Sequence, residues 1–375
     1  MTRPIISADS HVCEHPNTFI DRIDKKFKHI APSIVHDPKR GDVFKIEGAA
    51  SPIRLSLTSA AGKKPEELSP WGAVWEKLHK GGWDPEARIV DQTSDGIAAE
   101  VIYPSVGMEV CNVPDMEYKK ACMDAYNLWI AEFCSYNPLR LIGLGQTPMR
   151  TPEEGIADLQ KIKALGLRGV MLPGWPGQED YHSEIYDEFW EASIDLGLPI
   201  SFHILTSGEG AQKKFRGETR FGSFMNIIRA NQDIMSMFVF DGVFMRHPKL
   251  KVVCVEADAG WAAHYMYRMD HAYKRHRFWS RGKELEKMPS DYFREHIYLT
   301  FQDDYTAFEN LKRMNIERLC WANDYPHSDS TWPHSQEILK EQTAGLTDAQ
   351  KDLVLHDNIA GLYQVDLKEL TAAVN

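Results

Sequence analysis

Eight short apolar runs, most of them followed by a stretch with helical spacing, set the strongest limit on how this chain can fold. They are "IISADSH" near the start, "AEVIYPS" (99–105), "LIGLGQTP" (141–148), "LRGVMLPG" (167–174), "LPISFHI" (198–204), "LKVVCVEA" (250–257), "HIYLTF" (296–301) and "RLCWANDYP" (318–326). Their length and their bounding Gly and Pro residues read as strands. Helical patterns are expected over 115–135, 151–165, 184–196, 219–246, 259–279, 304–313 and 333–343. The clearest helix start is Thr151-Pro152-Glu153-Glu154, with Thr at the N-cap, Pro at the first helical position and Glu completing a capping box, and Gly166 supplies the stop. Strands separated by crossover helices lie parallel, and eight such units close into a (β/α)8 TIM barrel. An open doubly wound sheet is the rival, but no G-x-G-x-x-G follows the first strand.

The chain's 375 residues fit one such barrel, 1–375, with the polar, Gly- and Pro-containing stretch 22–85 read as an insertion after strand one that lies over one end of the fold. A formal charge of −11 disfavours nonspecific attraction to nucleic acid or to an anionic membrane. No apolar run approaches the roughly 18 residues of a membrane span. The six cysteines form no C-x-x-C pair and the N-terminus carries no signal-like segment, so the expected setting is a reducing cytoplasm. Neither a G-x-S-x-G elbow nor a P-loop occurs, which disfavours serine-hydrolase and nucleotide-hydrolase chemistry.

In a barrel of this kind the chemistry sits at the C-terminal ends of the strands. Strand one ends in Asp9 and His11, whose alternation puts both side chains on one face. Strand five ends in His203, strand six in Glu256 and strand eight in Asp324. Carboxylates gathered at one mouth would repel each other and rise in pKa, whereas a divalent cation holds them ionised. Further metal-type groups are Glu14, His182, His264 and His271, the last two on one helix face. His327 follows Asp324 closely enough to orient a ligand by hydrogen bonding.

The stretches "ADSHVCEHP", "LPISFH", "LKVVCVEADAGW" and "WANDYPHSDSTWPHS" resemble the amidohydrolase-related metal enzymes, the branch of the amidohydrolase superfamily that includes aminocarboxymuconate-semialdehyde decarboxylase. The resemblance implies a metal-bearing barrel with Asp9, His11, His203 and Asp324 on the metal positions. In the family's decarboxylases strand six ends in a histidine that moves a proton, and this chain has Glu256 there. Glutamate can bridge two ions, so the chain is also similar to the small branch of dinuclear iron or iron–manganese hydroxylases that resembles 2-aminoisobutyrate hydroxylase.

The leading expectation is therefore an O2-activating hydroxylase of a small organic substrate. It would use two ions, Fe and/or Mn, with Zn the alternative, and Glu256, Asp324 and His203 as catalytic groups. The chain has no flavin or iron–sulfur spacing, so an external ferredoxin or reductase is the expected electron donor. Alternatives are a metal-dependent hydrolase or decarboxylase, and a noncatalytic subunit that forms a hetero-oligomer with a paralogue. A homo-oligomer is the expected state otherwise.

Overall fold

A computed structural model describes residues 4–207 and 221–374. Eight parallel strand positions close around one axis: β1 (Ile6–His11), β5 (Ala99–Tyr103), β6 (Leu141–Gly143) continued by β7 (Gly145–Gln146), β8 (Val170–Leu172), β9 (Ile200–His203), β10 (Val252–Val255), β11 (Ile297–Phe301) and β12 (Leu319–Trp321). Hydrogen-bonded ladders run in the orders β1-β5-β6 and β12-β11-β10-β9-β8-β7. Leu144, between β6 and β7, donates its N–H to Ile102 O at 3.2 Å, so the two short pieces act as one bent third strand. The seam between the last and first strands is bridged by Asp324 N–H to Asp9 O at 3.0 Å and His11 N–H to Tyr325 O at 2.6 Å. The fold is a (β/α)8 barrel, with parallel strands throughout the barrel wall.

Side-chain alternation along these strands divides core from site. On β9 the inward Ser201 shares a hydrogen bond with Tyr103 Oη at 3.0 Å, and His203 above it faces the mouth. The intervening Phe202 points outward against Phe238 at a ring distance of 5.6 Å, on helix Phe221–Phe240. Most helices form where the periodicity places them, and their ends follow cap chemistry. Asp84 accepts from Glu86 N and Ala87 N to start helix Pro85–Ser94, and Asp115 does the same for Met116–Ser135. Thr151 caps Pro152–Ala164 through Glu154 N at 3.3 Å, but the Glu154 carboxylate is taken by Arg150, so only half of the expected capping box forms.

Two expectations are corrected in the wall. The segment 304–313 is not one helix but the short turn Thr306–Glu309 followed by a 3-10 turn, Leu311–Arg313. The pattern over 219–246 divides at Gly242 (φ +73°) into Phe221–Phe240 and Val243–Arg246, and its first two residues lie outside the described segments.

Within 22–85 the chain builds an antiparallel sheet of β2 (Ser33–Asp37), β3 (Gly41–Lys45) and β4 (Ile53–Arg54). Its last part lies against the mouth: Ala60 N and Ala61 N donate to Pro326 O at 2.8 and 3.0 Å, and Cys13 N donates to Gly82 O at 2.8 Å. A Cβ on Gly81 would sit 2.1 Å from both Asp91 Oδ2 and Tyr325 Oη, so a side chain there would have to displace that hydrogen-bonded pair. Among the described residues no helix is long and apolar enough to cross a membrane.

Candidate metal centre

Asp9, His11, His203, Glu256 and Asp324 meet at the C-terminal end of the barrel. His11 Nε2 lies 3.5 Å from Asp9 Oδ1, 3.5 Å from Asp324 Oδ1 and 3.7 Å from Glu256 Oε2. His203 Nε2 lies 3.3 Å from Glu256 Oε2 and 3.6 Å from Asp9 Oδ1. The side chains of Asp9, His11, His203 and Asp324 are wholly buried, and Glu256 keeps 14% of its side chain exposed. Glu256 is therefore the member of the set that an incoming molecule meets first.

The histidine tautomers are fixed by the backbone. His11 Nδ1 faces Pro104 O at 3.1 Å and His203 Nδ1 faces Ile204 O at 3.1 Å. A carbonyl only accepts, so both Nδ1 atoms carry the proton and both Nε2 atoms present lone pairs. Those two lone pairs face each other across 3.2 Å. Such a pair needs either an extra proton on one ring or a shared cation. The carboxylates point to the cation, because Asp9 Oδ1 and Oδ2 and Asp324 Oδ1 and Oδ2 are buried without a hydrogen-bond donor among the described residues. Two imidazoles and three carboxylates fit a hard to borderline divalent ion such as Mn, Fe or Zn.

Backbone strain aims the carboxylates. Glu256 (φ +55°) and Asp324 (φ +48°) both sit in the left-handed region, which costs a non-glycine residue about 1–3 kcal/mol. Glu256 N is held by Thr300 Oγ1 at 2.9 Å and Asp324 N by Asp9 O at 3.0 Å. Burial pushes the Glu256 carboxyl up to about 8, opposed by His203 and reinforced by Asp9. Burial raises Asp324 well above the usual carboxylate range, with Glu256 and Asp9 adding to it. Burial lowers His11, helped by His327 and His203. His203 is raised despite burial, through its contact with the Asp9 carboxylate. A bound cation reverses the carboxylate shifts by supplying the missing positive charge.

The remaining expected ligands fall in different places. His327 joins the cluster: its Nδ1 is 3.2 Å from Asp324 Oδ1, its ring stacks on His11 at 3.9 Å, and its Nε2 is 2.7 Å from Ser105 Oγ. Burial, with His203 nearby, pushes it down to about 3. Glu14 is corrected: its carboxylate accepts from the backbone N–H groups of Ser105, Val106 and Gly107, and so braces the loop after β5 instead of facing the cluster. His182 is exposed and lines a separate cavity of about 590 Å³ beside Gly174, Trp175, Ser207 and Arg229. His264 is exposed and His271 half-buried on the outer face of helix Ala262–His276, each beside Tyr267, so neither completes a second set of ligands. Asp270, on the same helix, accepts from Ser290 N and Oγ at 2.9 Å.

A residue that sequence reasoning missed lies directly beneath. Arg88, wholly buried, donates to His11 O at 2.7 Å and to Glu100 Oε2 at 2.5 Å. Its only sequence signal is an arginine on the otherwise ordinary helix Pro85–Ser94.

The amidohydrolase family model matches residues 77–365, most of the barrel. The chain belongs to the amidohydrolase family. This chain is 28% identical over 211 residues to 2-amino-3-carboxymuconate-6-semialdehyde decarboxylase of Dictyostelium discoideum, a match covering 54% of this chain and 55% of that relative. The chain thus spans about half the length of that curated relative. Among solved structures it is similar to an amidohydrolase from Mycobacterium avium subsp. paratuberculosis, with a TM-score of 0.79 at 20% identity over 97% of this chain and 100% of that one. It is also similar to 5-carboxyvanillate decarboxylase from Novosphingobium aromaticivorans complexed with manganese and 4-hydroxy-3-methoxy-5-nitrobenzoic acid, with a TM-score of 0.66 at 18% identity over 96% of each chain. This amidohydrolase-fold chain therefore carries a donor set for a divalent metal at the end of the barrel where the fold places its chemistry.

Proposed function

We propose that this chain is a metal-dependent enzyme that removes a carboxylate, as carbon dioxide, from a small organic acid. The observation that carries the metal is the pair of opposed Nε2 lone pairs 3.2 Å apart, ringed by undonated carboxylate oxygens. Asp9, His11, His203 and Asp324 would hold the ion, which when bound supplies Lewis-acid polarisation of a substrate oxygen. Two relatives named as decarboxylases, one of them a manganese complex, support the reaction class and favour Mn.

The proton falls to Glu256. It is the most exposed of the five ligand-type groups, at 14% of its side chain, and it faces both Nε2 atoms at 3.3 and 3.7 Å, beside the ion that the other four would hold. When the bond from carbon to the departing carboxylate breaks, the electron pair stays on carbon. Glu256 then supplies the proton that quenches it and is reprotonated from water at the mouth. This assigns to a glutamate the role that a strand-six histidine has in the family's decarboxylases. The Ser105 hydroxyl is donated to Val12 O, so His327 Nε2 donates to Ser105 Oγ and the neutral ring turns its Nδ1 lone pair toward Asp324 Oδ1, a further donor atom for a cation.

A second reading keeps the dinuclear hydroxylase, and one observation favours it. The donors form two overlapping sets, Asp9-His11-His203-Glu256 and His11-Glu256-Asp324-His327, with His11 and Glu256 common to both and Glu256 the one of the two that has a pair of donor atoms. Two ions, Fe or Mn, with Glu256 between them would demand O2 and an external ferredoxin or reductase. None of the three relatives described is named as an oxygenase.

The readings separate by metal content and gas exchange over a panel of small aromatic and muconate-type acids. One ion per chain with anaerobic carbon dioxide release supports the decarboxylase. Two ions per chain with reductant-dependent O2 uptake overturns it in favour of the hydroxylase.

A further inference from the structure

We infer that Arg88 is a positioning residue of the metal centre: its guanidinium clamps the hydrogen-bonded seam between the first and eighth strand ends, and so holds the separation of their ligands. The inference rests on the metal reading of the Asp9–His11–His203–Asp324 cluster. Arg88 touches none of the ligand atoms. Instead its Nη1 donates to His11 O at 2.7 Å and its Nη2 lies 3.4 Å from Tyr325 O, the residue after Asp324. The guanidinium also covers the Tyr325 ring at 4.4 Å, and Nη1 reaches Gly81 O in the insertion at 3.3 Å. One planar fork thus holds a carbonyl at each of the two ligand-bearing strand ends.

The charge is balanced from below. Glu100 Oε2 accepts from Arg88 Nε at 2.5 Å and from Gln92 Nε2 at 2.7 Å, and Glu100 Oε1 accepts from Asn323 Nδ2 at 2.9 Å. Asn323 precedes Asp324 and passes the connection back to strand one, because its Oδ1 accepts from Ser7 Oγ at 2.9 Å and Ser10 Oγ at 2.7 Å. Arg88, Glu100 and Asn323 are all at most 1% exposed. The circuit therefore runs from β1 through Arg88, Glu100 and Asn323 back to β1, inside the protein and with no exposed member among these residues.

A buried ion pair is a poor device for stability alone, since an apolar pair of the same volume often does as well. What an apolar pair cannot do is donate to two carbonyls on different strands. Asp9 and Asp324 carry oxygens with no donor among the described residues, so the strand backbones fix where they stand. Those backbones already meet through Asp324 N–H to Asp9 O and His11 N–H to Tyr325 O, and the Arg88 fork clamps the seam from beneath, from the helix that closes the insertion. Lysine keeps the charge opposite Glu100 but presents a single ammonium on a different geometry, and so cannot span both carbonyls.

The test is Mn2+ affinity and the Co2+ ligand-field spectrum of the full-length chain, compared with the metal-free thermal midpoint. Arg88→Lys is the deciding variant, and Arg88→Met/Glu100→Gln removes both charges together. The expected result is a folded Arg88→Lys protein with a near-native metal-free midpoint, about 10–100-fold weaker Mn2+ binding and a shifted Co2+ spectrum, as for loss of an outer contact to a ligand. The same affinity loss is expected in the double variant. Arg88→Lys with wild-type affinity and an unchanged spectrum overturns the inference, and so does Arg88→Lys that fails to fold, which would make Arg88 a residue of the fold and not of the site. Wild-type protein that binds neither Mn2+ nor Co2+ overturns the metal centre itself, a separate outcome.

Discussion

At the level of single residues the centre is an arrangement of unsatisfied groups. Two neutral imidazoles face each other because backbone carbonyls hold their other nitrogens, and two buried carboxylates lack donors. His203→Ala removes one of the opposed lone pairs, and the expected outcome is loss of tight metal binding together with activity, read by metal analysis after dialysis and by turnover. Glu256 differs because it is partly exposed and its carboxyl is raised to about 8 by burial. Glu256→Gln keeps the shape but removes the acid, and proton delivery by a placed side chain contributes roughly 10²–10⁴ to rate. The variant is expected to lose activity on that scale while the folded protein still binds an ion. An acid must be protonated to donate, so wild-type kcat/KM is expected to fall as pH rises and Glu256 ionises, at a pH below its metal-free value because a bound cation favours the carboxylate. A Glu256→Gln profile that kept this alkaline limb would remove Glu256 from the proton step.

At the level of elements the barrel follows from local chemistry, and the polar scaffold around it does not. His296 ends helix Pro289–His296 and gives a test of how such an element responds to pH. Its Nδ1 faces Leu250 O at 2.9 Å, its ring stacks on Phe244 at 4.5 Å, and burial pushes its pKa down to about 4. A base with a depressed folded pKa contributes fully above its unfolded pKa of about 6.5 and loses that contribution as pH falls toward 4. The gap in urea midpoint between wild type and His296→Phe is therefore expected to narrow from pH 7 to pH 5. At the other end of a helix, Thr151→Ala removes the acceptor for Glu154 N and is expected to cost about 1 kcal/mol in chemical denaturation. These helices and the eight strands were legible because their signals are periodic or lie within a few residues. The same holds for Asp9, His11, His203, Glu256 and Asp324, each of which ends an apolar run. The sheet of β2, β3 and β4 was not legible, since its strands are largely half-exposed and its turn residues resemble those of a loop. Arg88 was beyond reach for another reason: its acceptors are backbone carbonyls 77 and 237 residues away, and a carbonyl leaves no mark on sequence. Glu14 misled for a related reason, because three backbone N–H groups claim its carboxylate.

For the whole molecule, the centre sets stability against function. Two barrel strands deliver Asp9 and Asp324 into the interior as carboxylates with no donors among the described residues, a cost that apolar packing around them must offset. A cation that binds only the folded chain repays it by mass action, about 4 kcal/mol when free metal stands at 1,000 times its Kd. The metal-loaded protein is thus expected to melt well above the chelated one, with the difference growing as metal concentration rises. Asp9→Asn separates the two effects, because the amide fills the same volume without a buried charge and brings its own donors. The chelated variant is expected to match or exceed the chelated wild type in thermal midpoint, while the gain on adding Mn2+ disappears along with activity. A destabilised chelated variant that kept its full Mn2+ increment would show that Asp9 serves packing and not the ion. The opposite result would establish that this barrel gives up part of its stability at the mouth to keep anionic oxygens free for a metal.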